Sequence, residues 1–151
     1  MKVLFVCTGN LCRSPTAAGV FARQVRDAGL DDKVAIESAG THGYHAGESP
    51  DPRAQKHAMN RGYDLSALRA RQISPEDFAC FDLIVAMDRG HQQLLRQLSP
   101  PEHQVKIRLM VNGHDVPDPY YGGAEGFERV LDMVEAACFG LLDHVRQSLK
   151  T

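Results

Sequence analysis

The chain has 151 residues, a length that suits one domain with a substantial buried core. Hydrophobic residues make up 43% of it and charged residues 24%, which is ordinary for a globular protein. The net charge of −2 excludes a general electrostatic attraction to nucleic acid or to anionic membranes. The apolar runs are too short to span a membrane, and the first residues lead into a strand and not into a signal peptide. We therefore expect a single cytoplasmic domain over residues 1–151, with neither nucleic acid nor membrane as a partner.

The first predicted element is a buried strand over residues 2–7, an apolar run rich in β-branched and aromatic side chains that ends at Cys7. Ser14 is a typical N-cap and Pro15 suits a first helical turn, so a helix should begin near residue 15. The thiol of Cys7 is therefore expected where a strand gives way to a helix.

The loop between this strand and this helix has the composition of a phosphate-binding loop. Gly9 and Asn10 tolerate positive φ, which allows the backbone amides to curl around an anion at the positive end of the helix dipole. These surroundings favour a thiolate at Cys7, and the planar guanidinium of Arg13 can hold two phosphoryl oxygens. A cysteine at a strand end is more often a core residue, but the strand before the loop and the helix start after it favour a nucleophile. The predicted loop comprises Thr8, Gly9, Asn10, Leu11, Cys12, Arg13 and Ser14.

The rest of the chain alternates helical and extended patterns. In order, the periodicity predicts a helix over 15–28, a strand over 34–38, a helix over 50–61, a short helix after Ser74, a strand over 82–87, a helix over 89–98, an edge strand over 105–111 and a long helix over 127–149. Asp77 is placed to complete a capping box with Ser74, and Asp88 to cap the helix that follows it. This alternation is typical of an α/β domain with a twisted four-stranded parallel sheet in a three-layer arrangement, helices covering both faces.

Two long loops, over residues 39–53 and 112–126, are rich in glycine and proline and are expected to carry function. In a parallel sheet, ligands bind beyond the carboxyl ends of the strands, where Cys7 already lies. Tyr44 is the aromatic residue of the first loop. An exposed ring there would stack on an aromatic substrate, and the alternative is an ordinary half-buried tyrosine. His42 and His45 have metal-ligand spacing without an evident third ligand, so we interpret them as solvent-facing and expect no metal site.

The four cysteines are too widely spaced for a secreted disulfide framework. Cys80 and Cys138 lie among apolar residues and are predicted to fill the core. Cys7 and Cys12 are close enough in sequence for a reversible disulfide under oxidation, provided that the loop geometry allows it.

Hydrolysis of a phosphate monoester through a thiolate also needs a proton donor, and the loop itself has none. Ser14 is too weakly acidic, although its hydroxyl is placed to hydrogen-bond the sulfur. The candidate acids are Asp51, Asp88, Asp115 and Asp118. Local sequence favours Asp118, because prolines on both sides fix its direction and two tyrosines follow it, but spacing does not decide among the four.

Two motifs together identify a resemblance that covers nearly the whole chain. The run from Cys7 to Pro15 and the run from Asp118 to Gly122 are similar to those of the low-molecular-weight protein tyrosine phosphatases. The resemblance implies the strand order 2-1-3-4 and metal-independent hydrolysis of phosphotyrosine through a cysteinyl-phosphate intermediate. It implies that Cys7 is the nucleophile, Arg13 the phosphate clamp, and Asp118 the acid and then the base.

The resemblance also implies roles around these groups. Asn10, Ser14 and Ser38 would support the loop, and Tyr44, Tyr120 and Tyr121 would line the substrate pocket. No cofactor is implied, the partner is a tyrosine-phosphorylated protein, and phosphate or vanadate should inhibit. Leu68 replaces a histidine found in many similar proteins, so the polar contact of that histidine does not transfer.

Two alternatives remain at this stage. A thiol-dependent arsenate reductase would share the fold and the loop. It needs further cysteines within reach to carry a disulfide relay, and position 87 is a methionine and not a cysteine. A non-catalytic phospho-ligand binding module would need neither the thiol of Cys7 nor the carboxyl group of Asp118.

Overall fold

The computed structural model describes residues 1–120 and 122–150, and within them the chain forms one α/β domain. Its elements are, in chain order, β1 (Lys2–Cys7), α1 (Arg13–Asp27), β2 (Ala35–Gly40), α2 (Pro52–Asn60), α3 (Pro75–Cys80), β3 (Leu83–Ala86), α4 (Arg89–Leu98), a 3₁₀ helix (Pro101–Lys106), β4 (Ile107–Leu109) and α5 (Ala124–Leu149).

The four strands form one parallel sheet in the order β2-β1-β3-β4, which confirms the predicted topology and the edge position of the last strand. β1 is central, and Cys7 at its carboxyl end is in register with Gly40 at the carboxyl end of β2. The carboxyl ends of the strands therefore meet at the edge of the sheet that carries the Cys7 loop.

Alternate residues of β1 enter two separate cores, because successive side chains of a strand point to opposite faces. Val3 and Phe5 pack with α1 and α5 on one face, and Leu4 and Val6 pack with residues of α3 and α4 on the other. All four side chains are fully buried, as expected for a central strand covered on both sides. The predicted three-layer arrangement is therefore confirmed.

The start of α1 differs from the prediction. The helix begins at Arg13 with Cys12 in the N-cap position, so Ser14 lies inside the first turn and is not the cap. The hydroxyl of Ser14 contacts Asn10 and Cys7 instead, so it does not cap the helix. Residues Glu76 and Asp77 provide carboxylates in the first turn of α3, whereas the first turn of α1 contains no acidic residue. The amino end of α1 thus keeps its positive character for an anion.

The fourth strand is shorter than predicted, spanning three residues instead of residues 105–111. The preceding segment forms a 3₁₀ helix started by Pro101, and Val105 is 90% exposed. β2 extends two residues beyond its predicted end, to Gly40, and α5 begins three residues early, at Ala124. The capping box of Ser74 with Asp77 and the cap at Asp88 are confirmed.

Cys80 does not fill the core as predicted. It is exposed at the end of α3, where its Sγ accepts a hydrogen bond of 2.8 Å from Lys2 Nζ. The apolar neighbours that suggested burial, Phe78 and Phe81, point into the core themselves. Cys138 is buried in α5, as predicted, and burial raises the pKa of its thiol. Within residues 1–120 and 122–150, no helix combines the length and apolarity needed to cross a membrane.

Candidate active site

A pocket of about 260 Å³ opens at the carboxyl end of β1. It is lined by Cys7, Thr8, Gly9, Leu11, Cys12 and Arg13 of the loop and by Tyr44, His45, Asp118 and Tyr120 from the two long loops. The structure therefore brings the predicted nucleophile and clamp, which share one loop, together with a predicted proton donor from a distant part of the sequence.

Asn10 stabilises the turn of the loop. Its φ of +60° lies in the left-handed region, which asparagine adopts more readily than other side chains with a Cβ. Its Nδ2 donates to Ser14 Oγ at 2.7 Å and to Ser38 Oγ at 2.9 Å, and its Oδ1 accepts from the backbone N–H of Arg71 at 3.0 Å. The side chain is 1% exposed and fully engaged, so it ties the loop to β2 and to the segment before α3.

Ser14 contacts the sulfur of Cys7 directly, with 3.0 Å between Oγ and Sγ. Asn10 Nδ2 donates to Ser14 Oγ, so the hydroxyl of Ser14 accepts there and has one hydrogen left to donate. Two acceptors are within its reach, the sulfur at 3.0 Å and the carbonyl oxygen of Ala39 at a longer 3.4 Å. A thiolate at Cys7 would therefore receive a hydrogen bond.

Cys12 lines the same pocket but has different chemistry. Burial, and then the negative charge of Asp51, raises the pKa of the Cys12 thiol to about 12. Cys12 is therefore a neutral thiol near neutral pH, and a neutral thiol is a poor nucleophile.

Arg13 is 5% exposed and is held from behind by two acceptors. Its NH1 donates to Asp88 Oδ2 at 2.9 Å and to the carbonyl oxygen of Val116 at 3.1 Å, which leaves NH2 for the pocket. NH2 lies 3.7 Å from Asp118 Oδ2. A buried guanidinium oriented in this way is suited to bind an oxyanion bidentately.

Of the four candidate acids, Asp118 lines the pocket. Its side chain is 43% exposed, and its Oδ1 accepts from the backbone N–H of Tyr120 at 3.0 Å. The other three have structural partners: Asp51 caps α2 and pairs with Arg53, Asp88 caps α4 and pairs with Arg13, and Asp115 pairs with Arg89. The structure therefore distinguishes Asp118 from the other three candidate acids, which the spacing in the sequence did not do.

Aromatic side chains stand at the pocket mouth. Tyr44 is 75% exposed and stacks on His42 with 5.1 Å between ring centroids. The guanidinium of Arg53 lies 5.3 Å from the ring centroid of Tyr120. Tyr121, the third predicted pocket residue, lies outside the described residues.

Two histidines were not predicted as site residues. His45 was interpreted as solvent-facing, but it is half-buried, lines the pocket and pairs with Glu48. Its position next to Tyr44 in a loop at the carboxyl edge of the sheet was the available signal. His91 lies 2.7 Å from Thr8 Oγ1 through its Nε2 and is 6% exposed. Within the described part of the chain, no group of three or more histidine, cysteine or acidic residues is arranged to hold a metal ion.

The burial of His91 predicts a pH dependence of stability. Burial, assisted by the positive charge of Arg13 and opposed by Asp88, lowers the pKa of the imidazole from 6.5 to about 4. As pH falls below 6.5, the unfolded chain takes up a proton that the folded chain refuses, so stability decreases until about pH 4. The loss from this group has an upper bound of about 3 kcal/mol. Chemical denaturation should show a smaller loss over this pH range for His91→Gln than for the wild type; equal losses would contradict the assignment.

Comparison with known proteins agrees with this geometry. The family model described as low molecular weight phosphotyrosine protein phosphatase matches residues 2–151. A low molecular weight protein-tyrosine-phosphatase of Streptomyces coelicolor is 49% identical over 158 residues, covering 99% of this chain and 96% of the relative. The crystal structure of a protein tyrosine phosphatase from Entamoeba histolytica with Hepes in the active site matches with a TM-score of 0.94 at 39% identity, covering 98% of each chain. Vibrio vulnificus Wzb in complex with benzylphosphonate matches with a TM-score of 0.85 at 27% identity, covering 95% of this chain and 97% of Wzb.

The α/β fold, the pocket at the loop between β1 and α1, and these relatives define the class of protein: it is a phosphatase. Within that class, the chain belongs to the low molecular weight phosphotyrosine protein phosphatase family.

Proposed function

We propose that this protein hydrolyses phosphotyrosine in protein substrates through a covalent phosphoryl intermediate on Cys7, without a metal ion. The observation that carries the proposal is the convergence of Cys7, Arg13 and Asp118 on one pocket. A non-catalytic binding module would need neither a nucleophile nor a proton donor there.

In the first step, the thiolate of Cys7 attacks phosphorus, and the bond from phosphorus to the phenolic oxygen breaks. The carboxylic acid of Asp118 donates its proton to that oxygen, so that neutral tyrosine leaves. Asp118 is exposed enough to meet the substrate, and its contact with the Tyr120 amide sets its direction.

In the second step, water attacks the phosphoryl group on sulfur. The Asp118 carboxylate takes a proton from the water, and the electron pair of the phosphorus–sulfur bond returns to Cys7. The Ser14 hydroxyl, 3.0 Å from Sγ, stabilises the departing thiolate by a hydrogen bond. The enzyme is restored and inorganic phosphate is released.

In both steps, Arg13 and the loop amides stabilise the charge on the equatorial phosphoryl oxygens. The guanidinium is fixed before the substrate arrives, since Asp88 and the Val116 carbonyl hold its NH1. This preorganisation means that little reorganisation is needed in the transition state.

The pocket mouth supports an aromatic phosphate ester as substrate. Tyr44 and Tyr120 offer two exposed rings on which a phenyl group is able to pack. Benzylphosphonate, present in the Vibrio vulnificus Wzb complex, combines an aromatic ring with a tetrahedral anion, as phosphotyrosine does.

An arsenate reductase of this fold would need further cysteines, outside the loop that holds Cys7 and Cys12, to carry a disulfide relay. Cys80 contacts Lys2 at the start of β1, while Cys7 lies at the end of that strand. A strand of six residues separates them by about 16 Å, so Cys80 does not fill this role.

The proposal is tested by assaying a phosphotyrosine peptide and p-nitrophenyl phosphate in the presence of EDTA. We expect turnover without added metal, competitive inhibition by phosphate and by vanadate, and much slower turnover of the matched phosphoserine peptide. A requirement for a divalent ion, or equal rates for the two peptides, would refute the proposal.

The same pocket suggests a reversible oxidative inactivation. Peroxide would oxidise the Cys7 thiolate to a sulfenic acid with release of water, and the Cys12 thiol would displace a second water to form a disulfide. Both cysteines are free and line the pocket. We expect mild peroxide to abolish activity, thiols to restore it, and mass spectrometry to identify a Cys7–Cys12 linkage. Inactivation without this linkage would remove the hypothesis.

A further inference from the structure

His91, in the first turn of α4, is a buried histidine that the two chemical steps do not use. Its Nε2 lies 2.7 Å from Oγ1 of Thr8, the residue that follows the nucleophile. A buried imidazole that contacts a phosphate-binding loop across 83 residues of sequence fixes the loop relative to α4.

The other side of His91 faces the group that orients Arg13. The backbone N–H of His91 donates to Asp88 Oδ1 at 2.8 Å, and its ring Nδ1 lies 3.1 Å from the same oxygen, outside hydrogen-bond alignment. The second oxygen of that carboxylate accepts from Arg13 NH1 at 2.9 Å. Asp88 therefore lies between the imidazole and the guanidinium.

We propose that His91 is a positioning residue for phosphoryl transfer, which couples Thr8 of the loop to Asp88 and, through Asp88, to Arg13. This inference rests on the proposed function of the same site. The loop and the guanidinium must contact one phosphoryl group together, so their relative position determines how well both stabilise it. A displacement of a fraction of an ångström should reduce kcat more than it weakens the binding of substrate, since the charge to be stabilised is largest in the transition state.

Three substitutions separate the contacts of the ring. His91→Phe keeps the ring volume and removes both polar contacts. His91→Gln places an amide where Nε2 reaches Thr8, and His91→Asn places an amide where Nδ1 faces Asp88. His144→Gln, on the exposed side of α5, is the matched control for losing a histidine.

We expect His91→Phe to lower kcat at least about tenfold, with a smaller change in KM, and His91→Gln to recover part of the loss. Thr8→Val removes the hydroxyl from the other side and should lower kcat comparably. The double variant His91→Phe, Thr8→Val should lose no more than the worse single variant, because both remove the same contact. The proposal would be overturned if the two losses of kcat multiplied in the double variant, or if kcat stayed within about twofold of wild type in both single variants.

Two further measurements distinguish a loss of positioning from a loss of folding and from a failure of the proposed function. Thermal unfolding identifies any variant that fails to fold, and the test then rests on His91→Gln and Thr8→Val. Calorimetric titration with inorganic phosphate reports on the site without turnover, and we expect weaker binding in His91→Phe and unchanged binding in His144→Gln. If the wild type failed to hydrolyse phosphotyrosine, the proposed function would be wrong. An unchanged kcat for p-nitrophenyl phosphate together with unchanged phosphate binding in His91→Phe would separately reject the positioning role.

Discussion

Cys7→Ser should abolish phosphotyrosine hydrolysis, lowering kcat by roughly 10⁴-fold or more. Among the residues that the structure describes, the side chain hydrogen-bonded to the sulfur is Ser14, at 3.0 Å, and its hydroxyl is not a general base that could activate a serine at this position. The substitution is nearly isosteric and Cys7 is 3% exposed, so the fold and the binding of phosphate should survive. Steady-state turnover, together with calorimetric binding of phosphate, measures both expectations.

Cys80→Ser is the matched control, because Cys80 is exposed and lies at the other end of β1. It should turn over substrate like the wild type. Retained hydrolysis in Cys7→Ser would mean that the sulfur of Cys7 is not the attacking atom.

Asp118→Ala should lower kcat for phosphotyrosine by roughly 10²–10⁴-fold, the range expected for loss of a general acid. The rate of the first step with p-nitrophenyl phosphate, measured as the burst of p-nitrophenolate, should fall less, because nitrophenolate leaves without a proton. A comparison of the two substrates therefore distinguishes proton donation from a loss of binding. KM should change less than kcat, since NH1 of Arg13 stays bound to Asp88 and to Val116 when Asp118 is removed.

Asp115→Ala is the control for this prediction. Asp115 was also a candidate acid, but its carboxylate pairs with Arg89 at the surface, and its removal should leave kcat within about twofold of wild type. An equal loss in Asp115→Ala, or an unchanged kcat in Asp118→Ala, would show that the proton comes from another group.

The sheet was predictable because its strands are continuous apolar runs. β1 and β3 are buried on both faces, and such strands are recognised by composition without any knowledge of their neighbours. β4 was overestimated because Val105 and Ile107 alternate with lysine and arginine, which imitates a strand. The prolines before it start a 3₁₀ helix instead, and Val105 is left exposed.

The loop between β1 and α1 was predictable because the residue types of the strand, the loop and the helix start, and their spacing, are local. The prediction that Ser14 is the N-cap of α1 was wrong for a physical reason. Its one hydroxyl can either cap the helix or contact Asn10 and Cys7, and in the structure it contacts Asn10 and Cys7. A sequence pattern gives the propensity of a residue, but not the competing partner that the fold brings to it.

The contacts behind the site were not predictable from local sequence. His91 reaches Thr8, and Asp88 reaches Arg13, across separations of 83 and 75 residues that depend on how β3 is placed beside β1. Their position just after the carboxyl end of β3 pointed to the correct edge of the sheet. It did not indicate which side chains would turn inward.

The most direct test of the account is to trap the phosphoryl group on the enzyme. In Asp118→Ala, p-nitrophenyl phosphate should still react with Cys7, while water lacks its base, so the intermediate should accumulate. Rapid acid quenching followed by peptide mass spectrometry should find one phosphoryl group on the peptide that contains Cys7. Phosphorylation of any other residue, or no adduct while p-nitrophenolate is released, would contradict the account.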